Sequence, residues 1–201
     1  MSWTLRAVLL SLVALAASAS PSAEKKFMVG EHGVQLNSIT IESHTDLESI
    51  VTTTHAISGE VAWDMDGKTG TAKLTVPAKS LKTGIDERDK HLQGEGWLNA
   101  KKNPQITFEA TAITARPDGM YDVTGTFSMA GVSRPVTAVA TVKYLPHKPE
   151  LDNIMPNANL VRITTSFELK FSDYGIKLPV IGLKVSDVLK VKAAILGVEK
   201  N

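Results

Sequence analysis

The stretch VPAKSLKTGIDERDKHLQGEGWLNAKKNPQITF, residues 76–108, interrupts a chain that otherwise alternates apolar and polar residues. It contains a strand end, a turn and a charged segment, DERDKHL, with the composition of a short helix. Acidic residues at the start of this segment suit the helix dipole, and Gly94 and Gly96 end it. We therefore predict a short helical insertion around residues 85–93, which acts as a lid on a β-structure.

On both sides of this stretch the alternation has a period of two, which predicts half-buried β-strands. The clearest alternating segments are residues 57–65, 71–76, 106–112, 121–129, 136–144, 161–171 and 189–195. Turn signals separate several of them, namely Asp66-Gly67, Pro117-Asp118-Gly119 and Ala130-Gly131. Near the start, Val34 and Leu36 are out of phase with Ile39 and Ile41, as at a β-bulge or between two short strands. Together these segments predict about eight strands.

The predicted fold class is all-β, with one antiparallel sheet that forms either a closed barrel or a sandwich. Small residues share the predicted inward face with large ones, so a barrel interior need not be filled by protein. These small residues are Gly59, Ala72, Ala110, Ala112, Gly125, Ala138 and Ala140. Barrels of about eight strands hold either packed side chains or one small ligand. This pattern favours the barrel, and the packed sandwich stays open as the alternative.

The amino terminus has the features of a secretory signal peptide. Arg6 precedes an apolar run, residues 7–17, and Ala17-Ser18-Ala19 is a cleavage signal of the A-x-A type. The alternative is an uncleaved anchor, but the run is shorter than the roughly 18–20 residues that span a bilayer. We predict cleavage after Ala19, a single domain over residues 20–201, and a periplasmic or secreted protein that does not span the membrane.

Composition excludes several classes of function. Removal of residues 1–19 leaves 21 basic and 21 acidic side chains, and a neutral chain without basic runs argues against nucleic-acid binding. There is no cysteine, so thiol chemistry, disulfides and cysteine metal sites are excluded. The five histidines have no metal-ligand spacing. We predict no metal site and no cofactor.

The charged helix carries the candidate polar groups. Arg88 and His91 are three residues apart and can point in one direction, toward a polar or anionic head group at a cavity mouth. Arg88 can instead pair with Asp86, Asp89 or Glu95 and fix the helix in place, and we favour this structural role. Ile85 and Leu92, seven residues apart, are expected to rest on the barrel.

Several segments together resemble the YceI-like family of exported lipid-binding proteins. The segments are V-P-A-x-S-L-x-T-G at 76–84, R-D-x-H-L at 88–92, N-P-x-I-x-F at 103–108, G-T-F-x-M-x-G-V-x-R-P-V at 125–136 and D-Y-G-I at 173–176. They occur in the family's order, and the resemblance extends over nearly the whole predicted mature chain.

The resemblance implies a lipocalin-like antiparallel barrel, often dimeric, that holds a polyisoprenoid, a quinone or another long apolar chain. It also implies roles for Arg88, Asp89 and His91 in the helix beside the mouth, and for Arg134 in a hairpin. We predict ligand contacts, at the cavity mouth or in its lining, by six residues: Arg88, His91, Trp97, Phe108, Phe127 and Arg134.

Catalysis is not predicted. Ser80, Asp89 and His91 are the residue types of a hydrolytic triad, but the sequence has no nucleophile elbow of the G-x-S-x-G type. Two other functions stay open beside the lipid carrier. One is a packed β-domain that makes protein contacts at the cell envelope. The other is an enzyme that uses Asp89 and His91 on a bound lipid.

Overall fold

The structure, a computed structural model, describes residues 24–30 and 36–200. These residues form ten β-strands, one α-helix and three short 3₁₀ helices (Ala78–Ser80, Pro149–Leu151 and Phe171–Tyr174). The strands are β1 (Lys25–Val29), β2 (Ser38–His44), β3 (Ser49–Thr54), β4 (Ser58–Asp64), β5 (Thr69–Pro77), β6 (Gln105–Ala115), β7 (Tyr121–Met129), β8 (Val132–Leu145), β9 (Leu160–Lys170) and β10 (Val188–Glu199). The helix α1 (Asp86–Gln93) confirms the predicted insertion. The predicted signal peptide and Val34 lie outside the described residues.

The strands form one antiparallel sheet that closes on itself. Its order is β1-β4-β5-β6-β7-β8-β9-β10, and β10 pairs again with β1. Closure leaves these eight strands without a free edge, which a sandwich of two sheets would have. The predicted barrel is confirmed, and the sandwich alternative is wrong.

At two positions around the barrel wall, two short strands follow one another along the same neighbour. They are β1 and β2 beside β10, and β4 and β3 beside β5 and the chain after it. β1 and β2 lie along the same edge of β10, where β1 pairs with residues 197–199 and β2 with residues 190–194. β1 continues to β4, whereas β2 continues to β3. A two-way backbone bridge between Thr53 and Lys82, with N–O distances of 2.8 and 2.9 Å, joins β3 to the chain after β5. Backbone pairing therefore runs around the whole wall, through β1 and β4 in one half of the barrel and through β2 and β3 in the other.

Asn37 fixes the junction between these broken strands. Its side chain is buried, and its Oδ1 accepts a hydrogen bond of 2.6 Å from the backbone N–H of Leu196. Its carbonyl oxygen lies 2.6 Å from Nδ1 of His55, which follows β3. One residue therefore ties the start of β2 to β10 and to the β3–β4 connection.

β1 and β3 were not predicted, for two different reasons. β1 has only five residues and begins with two lysines, so only Phe27 and Val29 mark its buried face. In β3 the buried side chains are Ile50, Thr52 and Thr54. Because threonine is polar, its inward positions do not appear as apolar alternation.

One predicted inward residue faces outward. The register between β5 and β6 and between β6 and β7 shifts, and the second shift falls between Ala110 and Ala112. A shift of one residue moves the following side chains to the other face. Ala112 is therefore exposed, and Ile113 takes the inward position.

Gly59 and Gly125 lie where neighbouring strands approach closely. A Cβ atom at Gly59 would lie 1.9 Å from the carbonyl oxygen of Lys73, and Gly59 has a φ of +142°. A Cβ at Gly125 would lie 2.3 Å from the carbonyl oxygen of Glu109. These glycines allow the backbone to bend in the barrel wall, whereas the alanines provide the interior space.

We predict that Asn37→Ala lowers the free energy of unfolding by about 1–3 kcal/mol, because it leaves the buried N–H of Leu196 without an acceptor. Chemical denaturation measures the difference. The exposed Asn153 is the matched control, and Asn153→Ala should change stability by less than about 0.5 kcal/mol. Equal stability of the two variants would contradict the role of Asn37.

Candidate ligand-binding site

The barrel encloses a cavity of about 410 Å³. This volume lies within the range of roughly 300–1,000 Å³ that is typical of small-molecule sites. Thirty-one of the 40 residues that line it are apolar, and every barrel strand from β5 to β10 contributes some of them, as do β2 and β3. The cavity can therefore accept apolar surface but offers few hydrogen bonds.

Small side chains on the inner face leave this space. Ala72, Ala138, Ala140 and Ala193 all line the cavity. Ala138 and Ala140 alternate along β8 with Val139, which faces outward and is 36% exposed. An alanine in place of a leucine removes three carbon atoms from the interior, so the inward alanines account for unfilled volume.

The charged lining residues lie together at one end of the barrel. They are Glu48 in the β2–β3 turn, Arg88 and His91 in α1, and Lys184 in the segment before β10. β2, β5 and β9 run in the same direction, and these three segments follow them, so all lie at the same end. His91 and Lys184 are exposed there. We call this end, formed by residues 45–48, 83–92 and 180–185, the open end.

Arg88 joins two of these segments. Its Nη2 forms an ion pair with Oε1 of Glu48, 40 residues earlier in the chain, and both side chains are about two-thirds buried or more. The predicted partners Asp86, Asp89 and Glu95 are wrong, because a turn distant in sequence supplies the carboxylate. The favoured role is retained, since the pair attaches α1 to the β2–β3 turn.

Asp89 attaches the other side of α1. Its carboxylate is buried, and Oδ1 accepts hydrogen bonds from Thr83 N (2.7 Å) and Thr83 Oγ1 (2.8 Å), while Oδ2 lies 3.4 Å from Lys82 Nζ. Burial alone would raise the pKa of Asp89, but the bonds from Thr83 and Lys82 outweigh it and hold this pKa below its usual range. Asp89 is therefore a structural carboxylate.

The remaining helix residues face in different directions. His91 lies at the open end, with its Nε2 3.6 Å from Oε1 of Glu87, and its side chain is 70% exposed. Leu92 packs against the core, as predicted. Ile85 is 50% exposed, so its predicted contact with the barrel is wrong. It directly precedes the helix and is not carried on its buried face.

Three predicted aromatic residues line the cavity. Trp97 lies near α1, and its ring meets that of Phe171 edge to face at 5.5 Å. Phe108 and Phe127 are paired across β6 and β7. The Phe127 ring also contacts Phe167 at 6.3 Å. Ligand contact by these residues and by Arg88 and His91 stays a prediction, now with a position for each.

Arg134 lies outside the cavity. Its Nε donates a hydrogen bond of 2.9 Å to the carbonyl oxygen of Asp173, which links the start of β8 to the 3₁₀ helix after β9. This contact gives Arg134 a structural role that brings the R-P-V and D-Y-G-I segments together. The structure does not place it with the other five predicted site residues.

The sequence reasoning did not identify most of the aliphatic lining. Ile39, Ile41 and Ile50 line the cavity from β2 and β3, and Val180 and Val185 line it from the segment before β10. The alternation of Ile39 and Ile41 was a usable signal. The segment 176–187 has no strand or helix period, so only the fold places its valines.

The residues considered for a triad do not converge. Ser80 Oγ donates to the carbonyl of Pro77 at 2.7 Å and lies 2.8 Å from Thr54 Oγ1. Asp89 binds Thr83, and His91 lies beside Glu87. Within the described residues, no group of three His, Asp or Glu side chains is placed to hold a metal ion.

Fold and cavity together define a single closed antiparallel barrel that encloses an apolar ligand space. The family model of the YceI-like domain matches residues 33–196. The chain belongs to the YceI-like family, as its motifs predicted.

Relatives of known sequence agree with this assignment. A UPF0312 protein of Pseudomonas putida is 32% identical over 139 residues, which cover 68% of this chain and 69% of that protein. A UPF0312 protein of Pseudomonas paraeruginosa is 36% identical over 106 residues, which cover 53% of this chain and 52% of that protein. The match thus spans about half the length of the latter relative.

Solved structures share the fold. BcnA of Burkholderia cenocepacia superposes with a TM-score of 0.67 at 20% identity, covering 80% of this chain and 95% of that chain. A polyisoprenoid binding domain from Saccharophagus degradans, implicated in plant cell wall breakdown, has a TM-score of 0.60 at 12% identity and covers 89% and 100% of the two chains. At these identities the similarity is one of fold.

We predict that Asp89→Asn lowers the free energy of unfolding by about 1–3 kcal/mol at pH 7, because charge-assisted hydrogen bonds become neutral ones. The folded-state pKa of Asp89 is depressed. Its stabilisation is therefore present above about pH 4 and is lost as the pH falls through the folded-state pKa. Unfolding curves of wild type and variant should converge over that interval.

The exposed Asp86, in the same helical turn, is the matched control. Asp86→Asn should change stability by less than about 0.5 kcal/mol. A deficit in Asp89→Asn that stays constant down to about pH 2 would show that the carboxylate charge is not responsible.

Proposed function

We propose that this protein binds a long-chain isoprenoid or a comparable apolar lipid, with the apolar chain inside the barrel and its polar end toward the open end. The observation that carries the proposal is the cavity of about 410 Å³ with an apolar lining inside the closed sheet. The class of ligand is supported by family membership and by the polyisoprenoid binding domain that shares the fold. The protein acts by binding and not by catalysis.

Burial of the chain supplies the affinity. Ten buried methylene-sized groups contribute ~8 kcal/mol gross, at ~0.8 kcal/mol each, which is near micromolar binding before association costs. The charges at the open end are therefore not needed to hold the ligand. They can only discriminate between head groups.

The cavity volume limits the enclosed length. A cavity of about 150 Å³ takes one benzene molecule, so 410 Å³ corresponds to roughly 16 carbon atoms, or about three isoprene units. A longer chain must leave part of its length, or its head group, at the open end. The proposed ligand is thus held by one segment of its chain.

Prenyl alcohols of 5, 10, 15 and 20 carbons test this proposal. We expect affinity to rise by about tenfold or more per isoprene unit up to 15 carbons. It should then level off, because further units are not buried in the cavity. Equilibrium binding in detergent-free buffer, by displacement of a fluorescent apolar probe, measures the series. A flat series, or no binding at any length, would contradict the proposal.

A larger side chain inside the cavity supplies the matched control. Ala138→Phe points inward and should shorten the longest favoured chain by one isoprene unit or abolish binding, whereas Val139→Phe, one residue along β8, points outward and should bind as wild type does. Melting temperatures must show that both variants are folded. Equal binding by the two would place the ligand outside the barrel.

We predict that Arg88→Ala and His91→Ala keep the affinity for the 15-carbon alcohol within about threefold of wild type, because their side chains contribute charge and not apolar wall. Glu48→Ala removes the partner of Arg88 and controls for loosening of α1. Loss of binding in Arg88→Ala, with unchanged melting and with normal binding by Glu48→Ala, would assign the arginine a direct role.

We propose further that the protein is exported and acts in the periplasm or outside the cell. The support is the signal-peptide pattern of residues 1–19, and amino-terminal sequencing of the protein from its producing cells tests cleavage after Ala19. Within the described residues, no helix combines the length and the apolarity that a membrane-spanning segment needs. The homodimer implied by the family resemblance stays a prediction, which sedimentation equilibrium tests.

A further inference from the structure

A group of exposed apolar side chains lies at the open end. The large apolar side chains that are exposed in the described part of the chain are Leu36, Leu47, Val51, Ile85, Met120, Val139, Ile154, Val180, Leu183 and Val188. Four of them lie in the segments around the cavity opening. We call Leu47, Ile85, Val180 and Leu183, which are 69%, 50%, 37% and 66% exposed, the apolar rim.

Each member of the apolar rim borders the cavity opening. Leu47 and Leu183 directly precede the lining residues Glu48 and Lys184, Val180 itself lines the cavity, and Ile85 lies between Thr83 and Arg88, which also line it. The rim thus surrounds the place where an enclosed ligand meets the outside.

The segments that carry the rim are connected to one another. The ion pair of Arg88 with Glu48 joins α1 to the β2–β3 turn, and Ser186 N donates a hydrogen bond of 2.9 Å to Ser43 Oγ in β2. The rim side chains are therefore held by a common framework and do not lie on independent loops.

The charges near the rim decide which surface suits it. Residues 45–48, 82–91 and 176–187 contain five basic and six acidic side chains. The basic ones are Lys82, Arg88, Lys90, Lys177 and Lys184, and the acidic ones are Asp46, Glu48, Asp86, Glu87, Asp89 and Asp187. Such a balanced set has no net attraction to an anionic surface. It suits a surface of zwitterionic head groups over hydrocarbon.

We propose that the apolar rim docks on a phospholipid bilayer and places the cavity opening against its hydrocarbon boundary. The choice of a bilayer rests on the proposed function, because a ligand with a long apolar chain resides there and part of it extends to the rim. Leucine and isoleucine side chains enter the head-group boundary, as in surface-bound amphipathic elements. The ligand's apolar chain then passes between the bilayer and the cavity without exposure to water.

Flotation with phosphatidylcholine vesicles tests docking. We expect the mature protein, residues 20–201, to float with vesicles, and its Leu47→Ser/Leu183→Ser variant to bind them roughly tenfold more weakly or worse, because two exposed leucines no longer enter the boundary. Met120→Ser/Ile154→Ser is the matched control, since these exposed side chains follow β6 and β8 at the opposite end. This control variant should float as the wild type does, and both should float equally well at low and at high salt.

Uptake of the 15-carbon prenyl alcohol, measured without vesicles, separates this proposal from the proposed function. A rim variant that binds the alcohol as wild type does but fails to float supports docking through the rim. A wild type that binds the alcohol but does not float, or a rim variant that floats normally, overturns the docking proposal alone. A wild-type dimer that does not float and that the rim substitutions dissociate also overturns it, since the rim is then covered by a second copy.

Discussion

Closure of the sheet is the constraint on which the rest of this protein depends. Each barrel strand must satisfy its backbone N–H and C=O groups on both sides, and β10 achieves this by pairing with β9, β1 and β2. A ring of eight strands has an interior that is either filled by side chains or available to one ligand. Alanines at inward positions such as Ala138 and Ala140 leave it unfilled. The size of the side chains at a few inward positions thus determines that the interior of the closed sheet is a cavity.

The same closure explains several polar residues of the barrel wall and of α1. Between β1 and β2 the pairing with β10 is interrupted, and there the side chain of Asn37 accepts the backbone hydrogen bond of Leu196. The bridge from Thr53 to Lys82 completes the wall near the open end. Arg88 and Asp89 then attach α1 to the β2–β3 turn on one side and to residues 82–83, after β5, on the other. Their charges are used in holding α1 in place, and the apolar interior is left to hold the proposed ligand.

The sequence predicted the features that depend on local pattern, and missed those that depend on distant partners. Period-two alternation identified most strands, and helix composition identified α1. β3 was missed because its inward Thr52 and Thr54 are polar and so give no apolar alternation. The orientation of Ala112 was missed because the register shift after Ala110 leaves no mark in the pattern of apolar residues. Glu48 could not be assigned to Arg88, since 40 residues separate them and the acids nearest in sequence were equally plausible partners. The valines of segment 180–185 had no periodic signal at all.

The most direct test of the central claim is the mass of the native protein. The protein is purified from its producing cells without detergent, and its intact mass is compared under native and denaturing conditions, with mass spectrometry of the organic extract. We expect a native mass increment that matches a lipid with an isoprenoid or similarly long apolar chain in the extract. A native mass equal to that of the bare chain, together with an extract free of lipid, would contradict the claim that this barrel is built to carry one.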